Sequence, residues 1–232
     1  MIKKIFILSM LAVLGVYLLD TLTGIGFGVQ HFAGGVKDIY LSQSKDTLQV
    51  SNVITSIVVN FRGFDTLGEV TVLFLASMSL GGILYQKRHY LGDRSILFPA
   101  SRVVTSGAKL LFPSIVLLGA YVFIHGHLSP GGGFQGGTII ATGFLLMLLS
   151  YYNYSVSHDR LTYFESFAGI VFVGIGLAGY AIKGSFLANM LPVGELNQLF
   201  SGGVIGIIYI AVGFKVAAEL TGIIYTVLHE KE

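Results

Sequence analysis

Residues 125–137 read His-Gly-His-Leu-Ser-Pro-Gly-Gly-Gly-Phe-Gln-Gly-Gly and lie in the middle of the longest stretch without Asp, Glu, Lys or Arg, residues 110–158. Such a stretch is long enough for two membrane crossings of about 20 residues each, with the Pro-Gly-rich element as the hairpin between them. A flexible loop in water would carry charged residues, whereas this one keeps Phe134, Gln135 and two histidines and has no charge. The pattern predicts a hairpin packed against protein at or below the membrane surface, where neighbours must satisfy its non-helical backbone.

The composition is that of a membrane protein. Hydrophobic residues make up 53% of the chain and charged residues only 11%, whereas a soluble domain carries about 25% charge. The 31 glycines suit close packing of transmembrane helices. A net charge of +2 gives no indication of nucleic-acid binding, and a chain without cysteine has no disulfides, thiolate metal sites or ordinary Fe–S ligation. The sequence therefore predicts neither a cofactor nor a metal site.

The charged residues divide the chain into about six predicted transmembrane helices, which makes the expected fold class an all-α integral membrane protein. Residues 27–50 are predicted to be a polar connection, and the apolar stretch at residues 50–60 is too short to span. The first crossing follows Lys3 and Lys4, and a cleaved signal peptide is its alternative interpretation, although no A-x-A pattern follows it. The predicted crossings are residues 4–24, 67–86, 106–127, 136–153, 165–183 and 199–228.

The distribution of lysine and arginine predicts that both termini are cytoplasmic and that the glycine hairpin is on the outer side of the cytoplasmic membrane. The outer side then collects Lys37, Lys45 and Lys183. The cytoplasmic side collects nine basic residues: Lys3, Lys4, Lys87, Arg88, Arg94, Arg102, Lys109, Arg160 and Lys231.

Two motifs carry a family resemblance. The sequence HGHLSPGGGFQGG resembles the signature hairpin of the MrpB (MnhB) subunit family of multisubunit cation/proton antiporters. Upstream, FRGFDTLGEVT at residues 61–71 resembles the C-terminal end of the large MrpA subunit, which corresponds to the small MbhE-type subunit of membrane-bound hydrogenase complexes. The resemblance implies two joined modules, a two-helix MbhE-like module at residues 1–90 and a four-helix MnhB-like module at residues 91–232, divided at the basic stretch 86–94.

The resemblance also implies a function. It predicts an accessory membrane subunit of an Mrp-type complex that exchanges Na⁺ for H⁺, assembled with other membrane subunits and not itself an enzyme. The alternative is the equivalent ion-translocating module of a ferredoxin-linked respiratory complex, of the membrane-bound hydrogenase or sulfur-reducing type. A third interpretation is a structural scaffold whose charges only hold helices together.

Arg62, Asp65 and Glu69 are the first candidates for an ion path, because their spacing places all three on one face of a helix. Two carboxylates beside a guanidinium can hold a proton or a loosely bound cation. The structural alternative is the first turn of a helix, where acidic residues complement the dipole and Asp65 is a cap. In relatives the carboxylate at the position of Glu69 is considered part of an ion or proton path, so the resemblance favours function there.

Lys215 and Glu219 are the second candidates, because both lie within the last predicted crossing. A charge at the membrane midplane costs about 2.5–3.5 kcal/mol, so Lys215 must face protein or water. The pair is interpreted either as a buried proton relay or as a static ion pair within the chain or with a partner subunit.

The hairpin residues are candidates for packing and assembly. His125 and His127 are interpreted as hydrogen-bonded hairpin histidines, with proton exchange as the alternative, since no Asp, Glu or Cys lies nearby to complete a metal site. The glycines and the proline permit positive φ and close backbone approach. The motif residues are His125, His127, Pro130, Gly131, Gly132, Gly133, Phe134, Gln135, Gly136 and Gly137.

One apparent motif indicates no function. Residues 174–179 formally match the dinucleotide fingerprint GxGxxG, but they lie inside an uncharged run without a strand–turn–helix context. Small residues along a membrane helix explain this match, and they also explain the GxxxG match at residues 202–206. No nucleotide binding is predicted.

The charge asymmetry predicts the side on which each loop is exposed. A cysteine introduced at Ser129 is expected to react with a membrane-impermeant maleimide added outside intact cells, unless a partner covers it, and one at Ser95 is not. The opposite labelling pattern would contradict the predicted orientation and the outer position of the hairpin.

Overall fold

The fold is that of an all-α integral membrane protein, and it is described here for residues 2–24, 35–87, 100–151 and 154–229 of a computed structural model. Residues 1–38 and 39–232 form two separate compact units. The helices are α1 (Ile2–Gly24), α2 (Val36–Asp46), α3 (Val53–Ser56), a π-helical turn (Ile57–Phe61), α4 (Gly63–Lys87), α5 (Arg102–Ile124), α6 (Gly133–Ser150), α7 (His158–Lys183) and α8 (Val204–His229).

The six predicted crossings are confirmed within the described residues, where α1, α4, α5, α6, α7 and α8 are long and apolar enough to cross a membrane. Residues 50–60 are too short to span, as predicted, and form α3 and the π-helical turn. The predicted module boundary at residue 90 lies outside the described residues.

Helix boundaries differ from the predicted ones for local reasons. The predicted polar connection contains the unpredicted helix α2, whose first turn carries Asp38 and whose last turn carries Lys45, each favourable for the helix dipole. Helix α7 begins at His158, seven residues before the predicted start, and ends at Lys183, followed by Gly184, whose φ of 78° forms a left-handed cap.

The first unit is described by itself and contains the single long helix α1. Its described side chains are almost all exposed, including large apolar residues around the whole circumference. A helix that is apolar on every face is suited to lipid or to other chains rather than to water.

Helix α8 is the centre of the second unit. It packs against α4, α5, α6 and α7. Of its span, 61% is buried, against 11% for α4 and 17% for α5 and α7. One face carries a row of buried residues, among them Ile205, Ile208, Val212 and Val216, and residues of α8 make up half of the larger core cluster. Helices α4 and α7 pack mainly against α8, whereas α5 packs mainly against α6.

Helix α6 lies close against both α5 and α8 because glycines leave no side chain between the helix backbones at either contact. A Cβ atom at Gly136 would lie 2.5 Å from the carbonyl oxygen of Gly119 on α5. A Cβ at Gly137 would lie 2.8 Å from the carbonyl oxygen of Gly213 on α8. The predicted close backbone approach is thus confirmed at these two positions, and it permits contact between helix backbones.

The structure adds two details about the hairpin motif. The left-handed backbone that glycine permits is not used at Gly131, Gly132, Gly133, Gly136 or Gly137; among the described residues, the glycines with a left-handed φ are Gly184, Gly194, Gly202 and Gly203. The motif is also not all loop: Gly133 to Gly137 form the first turns of α6, and the irregular backbone is limited to residues 125–132. Because glycines leave α6 without side chains on two faces, its backbone can lie directly against both α5 and α8.

The glycines of the apparent dinucleotide motif lie within the membrane helix α7, not in a strand–turn–helix unit. A Cβ at Gly176 would touch the ring of Phe186, and one at Gly179 would lie 2.8 Å from the backbone nitrogen of Ala188. Gly174 has open space around it. Two of the three glycines therefore allow the segment after α7 to fold back onto that helix.

The glycine crossing predicts a clear difference between two Gly→Ala substitutions. Gly137→Ala forces the α8 backbone away and is expected to cost about 1–3 kcal/mol, which lowers the apparent Tm in detergent by roughly 2–12 °C. Gly174→Ala, also within a membrane helix but in open space, is the matched control and should leave the Tm unchanged or slightly raised. Loss of helical circular dichroism on heating measures both, and equal Tm values would contradict the backbone contact.

Candidate functional site

The hairpin at residues 125–132 is held by the short helix α3, which the sequence marked only as too short to span. The side-chain amide of Asn52 donates hydrogen bonds to the carbonyl oxygens of Gly126, at 2.8 Å, and Ser129, at 3.0 Å. Its backbone N–H donates to the carbonyl oxygen of His127 at 3.1 Å. The buried hydroxyl of Thr55 donates a second hydrogen bond to Gly126, at 2.7 Å. The hairpin backbone is therefore satisfied by neighbours, as expected for irregular backbone near a membrane.

Tyr209 of helix α8 contacts both α3 and the hairpin. The hydroxyl of Tyr209 donates to the Thr55 hydroxyl at 3.0 Å, and a Cβ at Gly126 would lie 2.7 Å from the Tyr209 ring. This glycine therefore allows the hairpin to lie directly on the aromatic ring. Asn52, Thr55 and Tyr209 were not identified from the sequence, because Asn52 and its partner Gly126 are 74 residues apart.

The two hairpin histidines lie in different environments. His127 is 1% exposed, and neither ring nitrogen is within ordinary hydrogen-bond geometry of a described residue. Burial lowers the pKa of His127, and the backbone of Leu199 and Gln198, which faces the ring, partly opposes this effect. His125 instead stacks on Tyr121 with 4.2 Å between ring centroids, and its Nδ1 lies 3.2 Å from the Tyr121 carbonyl oxygen.

The other motif residues have packing positions. Phe134 packs against the larger core cluster, Pro130 is exposed, and the Gln135 side chain reaches back over Gly132. Within the described residues, no group of three or more His, Cys, Asp or Glu side chains is arranged to hold a metal ion. The hairpin is thus a packed element rather than a polar binding loop.

Three charged residues meet inside the second unit. The Lys215 Nζ lies 3.4 Å from Glu165 Oε1 on α7 and 3.5 Å from Glu219 Oε2 on the next turn of α8. The Phe74 ring of α4 covers the ammonium group, with 5.3 Å from Nζ to the ring centroid. The predicted pair of Lys215 and Glu219 is therefore present, and a second carboxylate joins it.

Burial divides this triad, defined as Glu165, Lys215 and Glu219, into an inner and an outer part. The Glu219 side chain is 0% exposed, and its carboxylate oxygens have no hydrogen-bond partner among the described residues. The Glu165 side chain is 19% exposed. A charge removed from water is tolerated only when it is paired. Lys215 lies almost equally far from both carboxylates and can neutralise either one.

Glu165 was missed in the sequence because it was interpreted as the charged end of a membrane helix. In the structure α7 begins at His158, so Glu165 lies seven residues, or about 10 Å, inside the helix. The signal that could have revealed it is its position downstream of Asp159 and Arg160, which are themselves a better charged terminus.

The upstream candidates form a separate and exposed group. Arg62 and Asp65 make an ion pair at 2.5 Å, with side chains 60% and 49% exposed. Asp65 lies in the first turn of α4 and Arg62 precedes that helix, in agreement with a helix-dipole role for Asp65 but not with a cap. Glu69 is exposed on α4 within electrostatic range of Tyr209. The structure therefore does not bring Glu69 into the triad.

Two family models match adjacent parts of the chain. A family described as a domain related to the MnhB subunit of Na⁺/H⁺ antiporter matches residues 103–222, and the MbhE family, described as a subunit of MBH, matches residues 8–102. An uncharacterized protein of Methanocaldococcus jannaschii is 30% identical over 221 residues, which are 85% of this chain and 83% of that protein. Curated antiporter subunits also match, but the chain covers only 9–35% of their length.

Two solved structures have the same fold. A chain of the membrane-bound sulfane sulfur reductase, an archaeal respiratory membrane complex, is 42% identical with a TM-score of 0.80, and the match covers 98% of this chain and 99% of that chain. A chain of the Mrp complex from Dietzia is 24% identical with a TM-score of 0.70, and the match covers 94% of this chain but 25% of that one.

The triad predicts that Lys215 stabilises the fold mainly by neutralising Glu219. Lys215→Met leaves the buried carboxylate without a partner, and breaking such a pair costs about 3–5 kcal/mol. The double variant Lys215→Met/Glu219→Gln is expected to recover most of that loss, because the remaining amide carries no charge. The apparent Tm of the purified protein measures both.

Lys183→Met is the control, because this lysine is exposed at the end of α7. It should leave the Tm unchanged. A double variant that is no more stable than Lys215→Met would contradict the coupling between Lys215 and Glu219.

Proposed function

Because this chain belongs to the family of proteins with a domain related to the MnhB subunit of Na⁺/H⁺ antiporters, we propose that it is an accessory membrane subunit of an Mrp-type antiporter complex. Such a complex exchanges Na⁺, or another monovalent cation, for H⁺, and the long channel-forming subunits are other chains. The observation that carries the proposal is Lys215, held between two carboxylates where three membrane helices meet. A purely structural scaffold would need only the six membrane helices and no buried titratable group.

The proposed path has a buried part and an exposed part. The buried part is the triad, in which Lys215 alternates between Glu219 and Glu165 as a proton or cation passes. The exposed part is Glu69 on α4, with Asp65 and Arg62 at the start of that helix. A carboxylate that a membrane helix leaves exposed must face water, headgroups or another polar chain rather than lipid tails. This supports a path completed at the interface with a partner subunit.

A second candidate function has a specific observation in its favour. The match to the sulfane sulfur reductase complex extends over nearly the whole of both chains at 42% identity. In that alternative the same subunit is part of an ion-translocating module driven by a redox reaction on other subunits. Its test is the composition of the complex that co-purifies with a tagged chain: metal-cluster redox subunits favour the respiratory complex, and long antiporter subunits without them favour the antiporter.

The antiporter proposal predicts different results for two exposed carboxylates on the same helix. Glu69→Gln is expected to leave the complex assembled but to lower Na⁺-dependent proton exchange in everted vesicles to roughly a tenth or less, because an amide neither binds a proton nor supplies charge. Glu69→Asp should retain part of the activity. Asp65→Asn removes a carboxylate that is already paired with Arg62 and should lower exchange less than Glu69→Gln does, since an exposed ion pair contributes only about 0–1 kcal/mol. Asp159→Asn, at an exposed carboxylate in the first turn of α7 and outside the proposed path, is the control and should exchange nearly as the wild type does.

The triad is tested in the same assay. The double variant Lys215→Met/Glu219→Gln keeps the packing but has no titratable centre on α8, and it is expected to assemble and to lack exchange. Wild-type exchange rates in an assembled Glu69→Gln complex would show that Glu69 has only a structural role. Wild-type rates in the double variant would show that the triad is a static ion pair.

A further inference from the structure

A cavity of about 440 Å³ lies among α5, α6, α7, α8 and residues 154–157, which precede α7. This volume is within the range of about 300–1,000 Å³ that is usual for small-molecule sites. Its walls are apolar and are provided by side chains such as Val116 of α5, Phe144 of α6, Phe164 of α7 and Phe214 of α8. The triad residues are not among those that line it, so the cavity is a separate feature.

The polar groups of the cavity are confined to one end. Tyr154, Ser155, Ser157 and Arg160 line it where α6 ends and α7 begins. On the α8 wall, the Thr221 hydroxyl is satisfied by the Ala217 carbonyl oxygen of its own helix at 2.6 Å. The cavity therefore has an apolar body and a single polar mouth.

Arg160 provides the charge at this mouth. It is exposed, and none of the ion pairs among the described residues includes it. Burial raises the pKa of the neighbouring Tyr154 hydroxyl, so this group remains a neutral hydrogen-bond donor. A cavity mouth lined by an arginine together with serine and tyrosine residues suits a phosphate group.

The depth of the cavity matches one leaflet of a bilayer. Ile140, which lines its inner end, is ten residues before the end of α6 at Ser150, or about 15 Å along the helix. Half of a hydrocarbon core of about 30 Å is the same length. An occupant with its polar group at the mouth would therefore extend to about the middle of the membrane.

We propose that this cavity binds an anionic phospholipid, with one acyl chain between the helices and the phosphate at Arg160. Apolar walls exclude a hydrated ion as the occupant, and a cationic mouth selects an anionic headgroup over a zwitterionic one. The bound lipid fills the gap between α7 and the pair formed by α5 and α6. It thereby stabilises the part of α7 next to Glu165.

The proposal is tested on the tagged complex purified in mild detergent. The complex is incubated with phosphatidylglycerol or phosphatidylcholine, excess lipid is removed, and bound lipid per chain is counted by native mass spectrometry. The wild type is expected to retain phosphatidylglycerol in preference to phosphatidylcholine. Arg160→Gln should reduce retention of phosphatidylglycerol about fivefold, which corresponds to roughly 1 kcal/mol for one basic residue.

A second pair of variants tests the cavity itself. Val116→Trp fills the space and is expected to reduce retention of both lipids, whereas Leu117→Trp, at the adjacent position that is 70% exposed and does not line the cavity, should not. Arg102→Gln, at an exposed arginine at the start of α5, is the control for charge. Arg160→Gln changes only an exposed side chain, so it remains informative if Val116→Trp does not assemble.

Three results would overturn the proposal. The first is equal retention of the two lipids by the wild type. The second is retention by Arg160→Gln equal to that of Arg102→Gln. The third is a photoreactive benzoylphenylalanine at position 164 that cross-links to a partner subunit instead of to lipid, which would show that a protein segment occupies the cavity.

Discussion

The hydrogen bonds from Asn52 and Thr55 to the hairpin backbone are the constraint on which the second unit depends. Residues 125–132 connect two membrane helices through irregular backbone, and an unsatisfied carbonyl in an apolar environment costs several kcal/mol. Asn52 and Thr55 satisfy the carbonyls of Gly126, His127 and Ser129. Because these donors belong to a segment upstream of α4, the same bonds join the two halves of the unit. Tyr209 extends the connection to α8.

With the hairpin fixed, α5 and α6 are antiparallel neighbours, and glycine determines how closely they and α8 approach. The contacts of Gly136 with Gly119 and of Gly137 with Gly213 leave no space for a side chain. Helix α8 becomes the most buried helix of the unit as a result. A helix in that position can carry charged residues only when other helices neutralise them, and α7 does so with Glu165. Packing and the charged centre are thus two consequences of the same arrangement.

The ionisable residues are divided between the inside and the outside of the chain. Glu219 and Lys215 are buried, whereas Glu69, Asp65 and Arg62 are exposed at the side of α4. A path made of both groups is incomplete within one chain, since none of the described residues of this chain covers Glu69. The relatives with solved structures are multisubunit membrane complexes, which agrees with a chain whose outer polar residues need a partner.

The sequence by itself determined the class of the fold, the number of membrane helices and the position of the hairpin between α5 and α6. These properties are local, because the thickness of the membrane fixes the length of an apolar run and charged residues mark its ends. It also identified Lys215 and Glu219, since a charge inside an apolar run needs an explanation wherever it occurs. Only the tertiary structure decided which residues distant in the sequence contact the hairpin backbone and Lys215. Asn52 reaches Gly126 across 74 residues and Lys215 reaches Glu165 across 50, and no periodicity or spacing within one helix contains information about such contacts. For the same reason Glu165 was interpreted as a helix end.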